Sequence, residues 1–117
     1  MKALFVFLLT CCGVVHASDW SDEDTERQAI YLTLHVIDWR QTQDIGRHPG
    51  YHEMNSAIGE HPSNARINTY MTASAILTTA IAYELPPEWR RYWQYSGIII
   101  KASLIGGNFK VGLSAGF

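Results

Sequence analysis

Both cysteines of this 117-residue chain, Cys11 and Cys12, lie inside an N-terminal apolar stretch, and that placement limits how everything after it can be stabilised. Lys2 precedes residues 3–9, which are apolar without interruption, and apolar character continues past Thr10 to Val15. A cation, an apolar run and then Val15-His16-Ala17 form the pattern of a secretory signal peptide cut after Ala17. Residues 1–17 are therefore read as a signal peptide and residues 18–117 as a single small α-helical domain. An uncleaved anchor helix fits less well, because the run falls short of the ~20 residues a span needs and acidic residues follow at once. The exported segment has no cysteine and hence no disulfide framework. Packing, a membrane or a partner must stabilise it.

Of the nine Lys and Arg and eleven Asp and Glu, only Lys2 falls in the leader, so the exported segment is mildly acidic. That balance lacks the basic footprint of a nucleic-acid binder, and no nucleic-acid partner is expected. A chain of this size forms one domain with a modest core.

The spacing predicts three helices. Ser21 suits an N-cap, with Asp22, Glu23, Asp24 and Glu26 crowding the first turn, where the helix dipole favours them. Ile30, Leu34 and Ile37, beside Ala29, Thr33 and Val36, trace one helical face up to about Ile45, and Gly46, Pro49 and Gly50 then stop the helix. Residues 47–62 form a polar connection holding His48, His52 and His61, three of the four histidines beyond the leader. Ser63 suits the N-cap of a second helix that runs to about Glu84, before Pro86-Pro87. Pro87 and Glu88 suit the start of a third helix, expected to end at Gly106-Gly107. Beyond it, Phe109, Val111, Leu113, Ala115 and Phe117 alternate with polar or small residues, the period of a short C-terminal strand. The fold class is thus mainly α: a three-helix bundle, or a helical hairpin plus an N-terminal helix, with that strand. The strand has no evident partner in the chain and is a place for an envelope protein or a second copy to pair.

Residues 67–83 carry no formal charge, about 25 Å of helix, which lies near the lower limit for crossing a bilayer core. With the leader translocated, a hairpin of helices two and three places Arg90 and Arg91 on the cytoplasmic side and Trp89, Tyr92, Trp93 and Tyr95 at interfacial depth. Lys101 opposes that arrangement, since it interrupts the third helix and must snorkel or face another helix. The bacterial inner membrane, from its periplasmic side, is nevertheless the expected partner. An exported soluble three-helix bundle in the periplasm is the alternative.

Chemistry-bearing residues concentrate in one region. His35, Asp38 and Thr42 fall at i, i+3 and i+7, so one helical face presents an imidazole, a carboxylate and a hydroxyl. A buried Asp38 requires a partner, and the simplest expectation is that Asp38 and Thr42 tie down the following connection. His48, His52, Glu53 and His61, with His35 or Asp38, have the residue types of a metal site, but their spacing is not that of a ligand set, and no metal or other cofactor is expected. Asn55, His61 and Ser63 are placed to bond back to Asp38 and Gln41. The candidate polar cluster is therefore His35, Asp38, Gln41, Thr42, His52, Glu53, Asn55, His61 and Ser63, none of them assigned as catalytic. No HExxH, Gly-x-Ser-x-Gly or phosphate-binding glycine loop occurs.

Asp38-Trp39-Arg40-Gln41-Thr42, His52-Glu53-Met54-Asn55, Gly59-Glu60-His61-Pro62-Ser63, Leu85-Pro86-Pro87-Glu88-Trp89-Arg90 and Trp93-Gln94-Tyr95 together resemble a family of small, uncharacterised exported proteins from proteobacterial phages and prophages. Where that family has Asn-Pro, this chain has Asn55-Ser56. The resemblance implies a phage origin and an envelope location, and it carries over no catalytic residue. The reading is an exported, envelope-associated binding or structural protein. The alternatives are a lysis or superinfection-exclusion factor, and a metal-binding hydrolase built on the histidine loop.

Overall fold

The computed structural model describes residues 19–47, 62–110 and 112. It is mainly helical: α1 spans Asp22–Arg47, α2 Asn64–Glu84 and α3 Pro87–Lys110. Residues 1–18, 48–61, 111 and 113–117 lie outside the described part.

Local chemistry accounts for the helix starts. The Asp24 N–H donates to Ser21 Oγ at 3.1 Å while the Ser21 N–H donates to Asp24 Oδ2 at 3.0 Å, a reciprocal cap that satisfies two orphan donors. Ser63 accepts from the Arg66 N–H at 3.2 Å and caps α2, as the sequence predicts. Leu85, extended at φ −78° and ψ 145° ahead of Pro86, ends α2. Pro87 then opens α3 at a position where its missing N–H costs nothing.

The end of α3 corrects the sequence expectation. The helix runs through Gly106 and Gly107 to Lys110, so Phe109 and Lys110 are helical and do not begin a strand. Contacts with α1 hold this last turn: the Gln41 amide donates to the Ile105 carbonyl at 3.4 Å, and Asn108 Nδ2 donates to Gln41 Oε1 at 3.0 Å. Gly112, at φ 93°, forms a turn whose N–H donates to the Phe109 carbonyl. The remainder of the expected strand lies outside the described residues. Since a Cβ at Gly106 or Gly107 meets nothing within 4 Å among the described residues, alanine at either position is expected to stabilise by about 0.5–1 kcal/mol. Thermal melts check this; destabilisation would restore the helix end to Gly106.

α1 packs along both other helices and most extensively on α3, whereas α2 and α3, though joined by a tight turn, touch each other least. α1 is thus the spine. Its buried residues are Asp24, Gln28, Tyr31, His35, Asp38, Gln41, Thr42, Asp44 and Ile45. All but Gln41 and Asp44 follow alternating steps of four and three, the seam spacing of coiled-coil packing. The apolar face traced by the sequence is not the buried one: Ile30 and Val36 are about half exposed, and Leu34 and Ile37 only half-buried. Burial goes to the polar side because those side chains find partners on α2 and α3.

Among the described residues, no helix is long and apolar enough to cross a membrane.

Candidate functional site

The polar seam of α1 engages the other helices along its length. At one end, Arg90 of α3 is fully buried. Its guanidinium donates to the Ala82 carbonyl at 2.7 Å, to Asp24 Oδ2 at 2.8 Å, to the Leu85 carbonyl at 3.1 Å and to the Asp19 carbonyl at 3.3 Å. The Trp20 ring lies over it at 4.8 Å and stacks in turn on Tyr83. One side chain therefore ties the start of α1 to the α2–α3 turn. Asp24 also pairs with Arg27. Burial pushes the Asp24 carboxyl up, but the Ser21 N–H and the bond and charge of Arg90 outweigh it and hold the pKa below the ordinary carboxylate value.

Next along the seam, Gln94 Nε2 donates to the Asp24 carbonyl at 3.0 Å and to Gln28 Oε1 at 3.1 Å, while Arg27 Nε donates to Gln94 Oε1 at 2.8 Å. Gln28 donates onward to Thr79 of α2 at 2.9 Å. The amides satisfy one another, as burial requires.

The residues expected on one face of the first helix do share it. His35, Asp38 and Thr42 are all buried. His35 Nε2 lies 2.8 Å from the Met71 carbonyl; because a carbonyl only accepts, Nε2 carries the proton and Nδ1 is left as a buried lone pair with no partner among the described residues. Asp38 Oδ2 accepts from Lys101 Nζ at 2.6 Å. Thr42 donates to the Asp38 carbonyl of its own helix at 2.9 Å. Asp38 and the Gln41 amide are thus bonded to α3; the connection that Asp38 and Thr42 are expected to tie down lies outside the described residues. Two sequence-level difficulties, a carboxylate needing a partner and a lysine interrupting an apolar helix, resolve each other.

Of the other candidates, Ser63 caps α2, and His52, Glu53, Asn55 and His61 lie outside the described residues. Among the described residues, no three His, Cys, Asp or Glu side chains gather as a metal site. Sequence reasoning missed the roles of Asp24, Gln28, Arg90 and Gln94 in the seam. The signal was present as polar residues at the four-three spacing, which a search for apolar periodicity passes over.

His35 makes the bundle sensitive to acid. Burial depresses its pKa below the ordinary 6.5; the Met71 carbonyl opposes that, the Lys101 charge reinforces it and the Asp38 charge opposes it, leaving a net lowering. An unfolded chain takes up the proton near pH 6.5 while the folded one resists it. The contribution is therefore complete above that pH and lost as pH falls toward the depressed value. Asp24, also depressed, contributes above its unfolded value of 3.8 and is lost only below it. The melting temperature is expected to fall between pH 7 and pH 5, with a smaller fall in His35→Leu; equal slopes in the two proteins would remove His35 as the cause.

No protein-family model, curated protein or solved structure matches this chain.

Proposed function

We propose that the chain is a small exported, envelope-associated protein of phage or prophage origin that works by binding rather than catalysis. The observation that supports binding is where the reactive groups go. Among the described candidates, His35, Asp38, Gln41, Thr42 and Ser63 each bond to the bundle's own backbone or side chains, while Ile76, Trp89, Tyr92 and Ile99 are each more than 60% exposed. Large apolar side chains left exposed on a small bundle favour docking. Export rests on the leader pattern of residues 1–17, and the phage origin on the resemblance carried by the motifs quoted above.

Expression of the full chain in a proteobacterial host, followed by fractionation and intact-mass measurement, tests this reading. The expected product begins at Ser18 and sediments with the envelope after a carbonate wash. An uncut chain in the cytosol, or a mature chain released entirely with the periplasmic soluble fraction, would sink it.

A further inference from the structure

Among the three helices α2 has the least contact with the rest of the bundle, and its two halves are held by different chemistry. Toward Glu84, the Arg90 guanidinium donates to the Ala82 carbonyl, Gln28 donates to Thr79, and Tyr83 stacks on Trp20. None of those groups changes protonation near neutral pH. Toward Asn64, Ile67 and Met71 are buried, and the buried polar contact is that of His35 Nε2 with the Met71 carbonyl. Asn68 also accepts from Trp39 and Gln43, but both bonds are exposed, where water competes for the same groups.

The surroundings of His35 oppose a second proton on its ring. On α1 the Tyr31 and Trp39 rings flank it, with centroids 5.8 and 6.2 Å away. From α2 comes the Met71 carbonyl, already engaged by Nε2. From α3 comes the Lys101 charge, and the Asp38 carboxylate one turn along α1 is itself held by that ammonium at 2.6 Å. Protonated Nδ1 is therefore a buried donor with no acceptor among the described residues, carrying charge toward a lysine. Burial is the main reason that the pKa lies below 6.5 in the closed bundle, with Lys101 adding to it and the Met71 carbonyl and Asp38 opposing. When the ring parts from Met71, water solvates the imidazolium, so proton uptake favours the open form.

We infer that protonation of His35 opens the bundle locally: residues 64–75 of α2 lift from α1 and uncover Ile67 and Met71, while the α1–α3 seam stays closed. That seam is held by the amides of Gln94 and Gln41, which do not titrate, and by Arg90 with Asp24, whose carboxyl is kept below its ordinary value. Opening of one weakly packed segment ahead of global unfolding is ordinary behaviour for a small domain. The device belongs to the folded chain and does not depend on the envelope reading.

Backbone hydrogen exchange of the purified full chain between pH 7 and pH 5, corrected for the intrinsic pH dependence of exchange, tests this. Protection of residues 68–75 is expected to fall by up to about tenfold per pH unit below 6.5 and to return at pH 7, while residues 94–105 of α3 keep theirs. His35→Gln keeps a donor for the Met71 carbonyl but takes up no proton, so its residues 68–75 should hold one level of protection across the range. An equal fall in His35→Gln, or no fall in the parent chain, would overturn the inference. So would a parallel fall in all three helices of the parent chain, a result that decides the matter even if the variant does not fold.

Discussion

Arg90→Ala is expected to cost about 3–5 kcal/mol, the scale for removing one member of a buried ion pair and leaving the other charge stranded. The group deprived of its buried partner is Asp24, which keeps its pair with Arg27, and the same substitution unties the Ala82, Leu85 and Asp19 carbonyls and empties the space beneath Trp20. For a domain of about a hundred residues with a total stability of about 5–15 kcal/mol, that is a lowering of the melting temperature by roughly 12–40 °C. Arg90→Lys should recover little of it, because an ammonium on a flexible stem cannot reproduce the planar fork that spans a carboxylate and several carbonyls. Calorimetric melts of the two variants check this. A loss below about 1 kcal/mol for Arg90→Ala would show that the start of α1 is not held by this residue.

Lys101→Ala is the second large effect, expected near 3 kcal/mol because it leaves the buried Asp38 carboxylate without its cation. The informative comparison is Lys101→Met with Asp38→Leu. A buried pair replaced by apolar groups of similar volume is often neutral or stabilising, so the double variant should regain most of what either single variant loses. Denaturant midpoints for the four proteins give the coupling directly. Additive losses would mean that the two side chains act independently and that the 2.6 Å contact contributes nothing.

The helices themselves were legible in the sequence. Ser21 and Ser63 as caps, the acidic first turn at Asp22, Glu23 and Asp24, and the Pro86-Pro87 break are local chemistry, and they mark the helix starts and the α2–α3 turn correctly. The shared face of His35, Asp38 and Thr42 was legible as well, since helical spacing alone fixes it. The continuation of α3 past Gly106 was not, because the bonds that hold it come from Gln41, sixty-four residues away from Ile105.

The choice of buried face was also out of reach. Ile30, Leu34 and Ile37 marked one side of α1 by apolar spacing, yet the bundle buries the side bearing Asp24, Gln28, His35 and Asp38. Transfer energies of single residues favour burying the first set. The second is buried because each polar group meets a specific partner on α2 or α3, which removes most of the cost of taking it out of water. By itself, the sequence determined three helices, the first two capped by Ser21 and Ser63 and the third opened by Pro87. Tertiary structure alone decided that Lys101 turns inward and that Ile30 and Val36 face out, because whether a charge is exposed depends on whether the fold brings an opposite charge within reach.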